Sequence, residues 1–533
     1  MNLLKIGGLL GVMMVADATA HDGPCTTCQG VRNGGHDEIL LQGFHWNSSR
    51  TDPPGWYSVL AGKAAQIGAD GFSAIWMPVP WRDTSNWSDP AKGTSGGGEG
   101  YYWNSFDKNS AYGREQQLNE AVAALTRAQV KLIYDAVPNH MDRSRLDPAL
   151  KGVLGKPQAW RDGCAQCDDG DPFMAGEADL NTGDPEVSAM LGKELLNLRD
   201  HYGAAGLRFD FVRGYGALSV DNWMRAFGNQ AFCVGELWKS PAEYPDDDPM
   251  RQQDWLGVLK AWSDRSHCTV FDFALKERLQ KGSVADWAAG LNSHPDPAWR
   301  AAAVTFVDNH DTGYSPGQYG GQHHWALPEP LRDMAYAWIL SSPGTPSVYW
   351  PDMYDWPRGA LLRELIKVRR SAGIQADSSV AFVPGHSGLV AEVAGQQQVL
   401  FVALGSDLDS TAVPAGFNPV LDRGDKGAIR LWQAPAVQVQ LTCEGGRVRL
   451  GESVYAVGSG AALGEWDPAR AVRLDDVSDY PRWRANVRLA GNVQHQWKCI
   501  VRSDQHPDRV IRWQEGSNTQ LLAREGASST GSL

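Results

Sequence analysis

Nothing in this chain is long and apolar enough to cross a membrane. Its apolar run near the start, residues 6–15, stops well short of the ~18 residues a span needs. Positive charge is scarce too: 49 Lys and Arg stand against 62 Asp and Glu, a net −13. That balance argues against nucleic acid or an anionic membrane as the main partner. The glycine-rich run at 96–100 has no Gly-Lys-Ser/Thr after it, so it is not a phosphate loop, and neither G-x-S-x-G nor H-E-x-x-H occurs. Internal repeats are missing, and low complexity is confined to the Ser/Gly-rich last six residues.

Aromatic side chains are what the sequence has in surplus. It carries 22 Trp, 15 Tyr and 14 Phe, more indoles than cores need, and exposed indole faces suit ligands with flat apolar faces, sugars among them. With 58 Gly and 30 Pro in 533 residues, the composition is that of a loop-rich globular protein of three or four domains.

Residues 1–20 read as an export signal: Lys5 is the positive end, 6–15 the apolar run, and Ala18-Thr19-Ala20 a small-x-small cleavage site. The mature protein is expected to be secreted and to start near His21. Export permits disulfides, and the cysteines form an even set of 8. Pairs 233–268 and 443–499 are expected, with Cys25, Cys28, Cys164 and Cys167 joined locally or to each other. Two C-x-x-C pairs could also build a four-thiolate zinc site, although an exported chain favours disulfides.

From about 38 to 372, strand-like runs alternate with amphipathic segments. The runs lie at 38–44, 71–78, 130–138, 206–212, 232–237, 269–273, 304–307 and 346–350, with helical patterns such as 118–129, 187–202, 331–340 and 361–370 between them. The fold class predicted is α/β: a (β/α)8 TIM barrel over 21–375 with a loop excursion after strand 3, at 141–185. The runs 387–393, 399–404 and 428–432 predict a small antiparallel β domain over 376–432. A short connector is expected at 433–437 and a β-sandwich at 438–533.

Barrel chemistry sits where strands enter their following loops. Strand three ends in Asp135-Ala-Val-Pro-Asn139-His140, strand four in Arg208-Phe-Asp210, strand five in Glu236-Leu-Trp238-Lys239 and strand seven in Asp308-Asn309-His310-Asp311. Period two puts Arg208 and Asp210 on one face, where the guanidinium favours the carboxylate a nucleophile needs. An apolar setting beside Trp238 would hold Glu236 protonated, as a general acid requires. Two carboxyls so differentiated are what retaining glycoside hydrolysis asks for. Ordinary ion pairs in an acidic protein are the plainer reading of the same residues.

The segments DAVPNH (135–140), GLRFDFVRG (206–214), GELWK (235–239) and FVDNHD (306–311) resemble the α-amylase family of glycoside hydrolases. QGFHW (42–46), WMPVPW (76–81), GGGEGYYW (96–103), FDFALKERL (271–279) and SPGQYGGQHHW (315–325) are similar to its maltotetraose-forming exo-amylases. The resemblance implies Asp210 as nucleophile, Glu236 as general acid/base and Asp311 as transition-state stabiliser. It implies His140, Arg208 and His310 around the sugar at the cleavage subsite, with Tyr101 stacked beneath it, and Phe173, Lys239 and Gln322 as further substrate contacts. The stretch 173–177 falls where the maltotetraose formers stop the non-reducing chain end; Glu177 stands where relatives usually have aspartate, one methylene shorter.

Clustered carboxylates at 168–171 and Asp179 suit a hard cation, although a solvated acidic loop would look the same. The resemblance implies a structural Ca2+ held by Asn139, Asp168, Asp171, Asp179 and the Gly214 carbonyl. It places a second Ca2+ near Asp22, Asp37 and Glu38, where the expected histidine is displaced, with Gly34 at its position. In the last domain, LGEWDP (463–468), YPRW (480–483), WKCI (497–500) and RWQEGSN (512–518) resemble the family-20 starch-binding module. Trp466 and Trp513 would be its stacking platform, Lys498 and Asn518 its hydroxyl ligands and Trp483 a second sugar face. The implied function is a secreted exo-amylase, calcium-dependent and retaining, that releases maltotetraose from non-reducing ends of starch. Endo-action with mixed products, or a non-catalytic starch-binding protein, is the alternative. Starch and maltooligosaccharides are the expected partners, without nucleic acid or membrane, and a monomer is expected.

Overall fold

The computed structural model describes residues 30–89, 94–164, 167, 170–173, 178–317, 320–423 and 429–533. The expectations for the export signal, Asp22, Cys25, Cys28, Asp168 and Glu177 lie outside the described residues.

Eight short parallel strands close a barrel: β1 (Leu40–Gln42), β2 (Ala74–Met77), β3 (Lys131–Ala136), β4 (Ala204–Phe209), β5 (Phe232–Gly235), β6 (Thr269–Phe271), β7 (Ala303–Phe306) and β8 (Thr345–Tyr349). Each is followed by a helix: α1 (Trp56–Ala69), α2 (Glu115–Arg127), α3 (Pro185–Tyr202), α4 (Ala217–Phe227), α5 (Trp255–Ser266), α6 (Phe273–Lys281), α7 (Glu329–Ser341) and α8 (Gly359–Ala372). Helices cover one face of each strand and the barrel interior the other, so β3 is buried from Leu132 to Ala136, without polar alternation.

α3 shows how local chemistry sets an element's ends. Asp184 accepts from the Glu186 and Val187 amides, Pro185 opens the first turn, and Gly203 ends the helix at φ +67°. Val187, Leu191, Leu195 and Leu198 form the buried stripe between. The excursion after β3 holds the Cys164–Cys167 disulfide, and Cys233–Cys268 ties the base of β5 to that of β6.

Beyond α8 lie β9 (Ser379–Phe382), β10 (Leu389–Ala394), β11 (Gln398–Leu404), β12 (Asn418–Arg423) and β13 (Ile429–Glu444). Residues 433–437, expected as a connector, are the middle of the 16-residue β13. Before Ala436 this strand pairs with β11, at Leu400↔Gln433 for example, and from Ala436 on it pairs with a strand of the last domain, Ala436↔Ala490. A partner on either side of the expected break keeps the backbone extended, so no hinge separates the two β domains.

The last domain is a sandwich built from β14 (Glu452–Gly458), β15 (Val472–Arg473), β16 (Asp476–Asp479), β17 (Arg482–Ala490), β18 (Gln494–Ser503), β19 (Val510–Trp513), β20 (Thr519–Leu522) and β21 (Ser528–Ser532). One sheet holds β13, β16, β17 and β21; the other holds β14, β15, β18, β19 and β20. Cys443 of β13 and Cys499 of β18 join them.

Candidate active site

The loop-side mouth of the barrel is organised by one guanidinium. Strand register sets Asp135 of β3 beside Arg208 of β4. Nη1 of Arg208 donates to Asp135 Oδ1 at 2.8 Å and to Asp210 Oδ1 at 2.7 Å, while Nη2 lies 2.9 Å from Glu236 Oε1. Its underside rests on the Trp76 ring, 4.8 Å from the centroid. Asp135 also accepts from the Tyr101 hydroxyl (2.6 Å) and the Trp76 indole N–H (3.1 Å), which makes it an anchor. The Asp210 amide donates to the Ala136 carbonyl and the Glu236 amide to that of Phe209, so β-type bonds continue into the loops and fix both carboxyls.

Asp311 completes the group on the loop after β7. Asn309 Oδ1 accepts from the amides of Asp311 and Thr312. Beneath it, Lys276 of α6 and Arg332 of α7 clamp Asp308 at 2.7 and 2.9 Å. His310 lies between, its Nδ1 2.8 Å from Gln42 Nε2 and its Nε2 3.3 Å from Asp311 Oδ2. Burial and the Arg208 charge hold His310 well below its ordinary pKa, so the ring is neutral. With the Gln42 amide donating to Nδ1, the proton sits on Nε2, which has no hydrogen-bond partner among the described residues.

Several buried carboxyls share one buried cation, so they cannot all ionise at ordinary pH. Burial raises Glu236 well above the carboxylate range, with Asp210, Asp311 and Asp135 adding to the shift and Arg208 opposing it. Burial likewise pushes Asp311 to about 7 and Asp135 to about 6, again against Arg208. Trp238 stacks on Phe273 and Trp325.

Flat rings line the site. Trp46, Tyr101 and His310 are nearly parallel, with interplanar angles of 7°, 11° and 12°. On the other side His140, lowered to about 4 by burial, stacks on Phe173 with 3.6 Å between centroids. The Phe173 amide donates to Asp179 Oδ2, which ties Phe173 to the far end of the excursion.

Lys239 is paired with Asp171 at 2.7 Å and lies over the Tyr244 ring. Gln322 is half-buried, and among the described residues no hydrogen bond joins it to the carboxyls. Asn139 and Asp179 meet at 3.3 Å. A Cβ on Gly214 would fall 2.2 Å from Asn139 Oδ1, so only glycine admits this approach. The Gly214 carbonyl accepts from the Gly170 amide, and Asp171 faces Arg213 and Lys239. Among the described residues, no group of three His, Cys, Asp or Glu is placed to hold a metal. At the second expected site, Glu38 pairs with Lys131, and Asp37 lies 3.8 Å from Arg370.

In the sandwich, Trp513 is 42% exposed and Trp466 half-buried. The Lys498 amine donates to the carbonyls of Gln514 and Gly516, and Asn518 donates to Gln496. Trp483, expected as a second sugar face, is instead 7% exposed and donates its indole N–H to the Gly446 carbonyl. It lies directly opposite Cys443, whose disulfide points to the other sheet, so the shared face is the interior one.

Asp135, Gln42, Trp46 and Lys276 had no assigned role in the sequence. For Asp135 the missing signal is the β3–β4 register; for Gln42, Trp46 and Lys276 it is the closure that sets β1 and α6 near the β7 loop.

Two family models match the chain: the starch binding domain over residues 436–532, and domain C of glucan 1,4-alpha-maltotetraohydrolase over 354–416. Glucan 1,4-alpha-maltotetraohydrolases from Roseateles saccharophilus and Stutzerimonas stutzeri are 51% and 50% identical, each aligned over 100% of both chains. The solved γ-CGTase of alkalophilic Bacillus clarkii superposes with a TM-score of 0.54 at 15% identity, covering 95% of this chain and 99% of its own, a likeness of fold. With half of its residues shared over both full lengths, the chain belongs to the glucan 1,4-alpha-maltotetraohydrolase family of glycoside hydrolases.

Proposed function

We propose that the protein is a secreted, monomeric exo-amylase that hydrolyses α-1,4 bonds at non-reducing ends of starch and releases maltotetraose with retention. The observation that carries this reading is the sharing of Arg208 by Asp210 and Glu236, with Asp311 near enough for its charge to act on Glu236. One guanidinium in reach of both carboxyls holds them close, as the ~5–5.5 Å spacing of a retaining pair asks.

Phe173 and Glu177 are the residues assigned to hold the free non-reducing end. Tyr101 supports the ring at the scissile bond, and His140, Arg208 and His310 hold its hydroxyls. Asp210 attacks C1 while Glu236, protonated, gives its proton to the leaving oxygen, forming a glycosyl-enzyme ester. Glu236, now ionised, takes a proton from water, which attacks C1 and frees Asp210. Asp311 binds the sugar more tightly as positive charge grows at C1, and the free His310 Nε2–H is available to a sugar hydroxyl.

Asn139, Asp179 and the Gly214 carbonyl supply the hard oxygen donors of the calcium reading, with Asp168 as a further one. The ion would tie the excursion to the loop behind Asp210 and supply no step of the reaction. Disulfides 164–167, 233–268 and 443–499 support an extracellular setting. Lys498, Asn518, Trp466 and Trp513 serve as the starch contacts of the last domain.

The test is the anomeric form of the first product. Proton NMR of a maltooligosaccharide digest should show the α-anomer forming first; initial β-anomer would mean inversion and overturn the mechanism.

A further inference from the structure

The turn that carries Trp466 has an unusual backbone. Gly464, Glu465 and Trp466 are consecutive residues with φ of +78°, +47° and +64°. Two of them bear side chains, for which this region is disfavoured, so something must hold them there. Part of the hold is local: the Gly460 amide donates to Glu465 Oε2, Glu465 N–H to the Gly460 carbonyl, and Asp467 N–H to that of Gly464.

The rest comes from the catalytic body. Arg470, at the end of the turn, donates from Nη1 to the Val380 carbonyl of β9 (2.9 Å) and from Nη2 to the Ser293 carbonyl of the barrel (2.7 Å). Its guanidinium lies over the Phe382 ring at 5.4 Å, and Asp467 pairs with its Nε at 3.4 Å. At the start of the turn, the Ala461 amide donates to Glu392 of β10. A Cβ on Gly464 would fall 2.8–2.9 Å from Arg470, so turn and arginine are packed together. The β13 strand, unbroken across both domains, removes the freedom that would let this docking come and go.

We propose that the starch-binding domain is a docked part of the catalytic body, and that Arg470 is a positioning residue holding the Trp466 turn in its sugar-binding form. This rests on reading Trp466 as a sugar contact. Arg470 touches no sugar; it acts by bridging two carbonyls in two other domains, which makes glucan affinity at the module depend on the interface.

The test uses the full chain and β-cyclodextrin, an α-1,4-glucan ring without the chain end an exo cleft requires. Arg470→Met keeps the apolar stem and loses both donors. It should weaken β-cyclodextrin binding about tenfold, with kcat/KM on maltoheptaose changed less than twofold. Arg470→Lys, which keeps the charge but loses the planar fork that reaches each carbonyl from its own nitrogen, should fall between Met and wild type. Unchanged affinity in Arg470→Met would overturn the proposal. Trp466→Ala in the same assay separates the two readings: normal binding there means that Trp466 is not a sugar contact. Should Arg470→Met fail to fold, amide exchange on the wild-type chain decides. Slow exchange at Glu465 and Asp467 supports the docked turn, and exchange at the rate of an open loop refutes it.

Discussion

Arg208 sits at the centre of the site because a buried guanidinium is the one side chain with enough donors to reach Asp135, Asp210 and Glu236 together. Its neighbours divide the work by environment. Asp135 is held by several donors and anchors the cation, Asp210 shares that cation, and burial raises the pKa of Glu236, the proposed acid. Replacing that acid with Glu236→Gln should cut kcat by ~10²–10⁴ on starch, the range general acids supply; near-normal turnover would remove Glu236 from its role. Asp311 offers a stability test. Its folded pKa of about 7 lies above the ~3.9 of an unfolded aspartate, so its contribution is fully present below ~3.9 and lost as pH rises through 7. Asparagine mimics the protonated form, so the Tm of Asp311→Asn should match wild type near pH 4 and exceed it above pH 7. A difference that shrinks on raising the pH would contradict the assigned shift.

At the scale of elements, all eight barrel strands lie where short apolar runs alternate with amphipathic stretches, because strands buried on both faces write themselves as such runs. That Asp210, Glu236 and Asp311 fall at strand ends was readable for the same reason: strand ends are fixed by the runs, and period two assigns faces. What stayed hidden depends on partners. Residues 433–437 are strand only because β11 and β17 lie alongside, and Trp483 turns inward only because it opposes Cys443. Asp171, expected as a calcium ligand, is paired with Arg213 and Lys239, partners that its sequence position does not announce. The loop behind Asp210 is where the calcium reading is tested: a chelator should lower Tm by several degrees, and Asp179→Asn should weaken the effect. A Tm indifferent to chelator and to added Ca2+ would leave Asn139, Asp179 and Gly214 as a hydrogen-bonded joint alone.

At the scale of the whole molecule, barrel, small β domain and sandwich are joined by one continuous strand and by the Arg470 bridge. Trp76, Trp81, Trp103, Trp160, Trp287, Trp338, Trp350 and Trp497 are fully buried, so the indole surplus is in good part structural. The central claim is exo-attack with a four-sugar count set beyond Phe173, where Glu177 carries a longer arm than the aspartate of its relatives. Chromatography of a soluble-starch digest over time measures it directly. Maltotetraose should dominate from the earliest sample onward; a broad ladder of maltooligosaccharides at early times would contradict it.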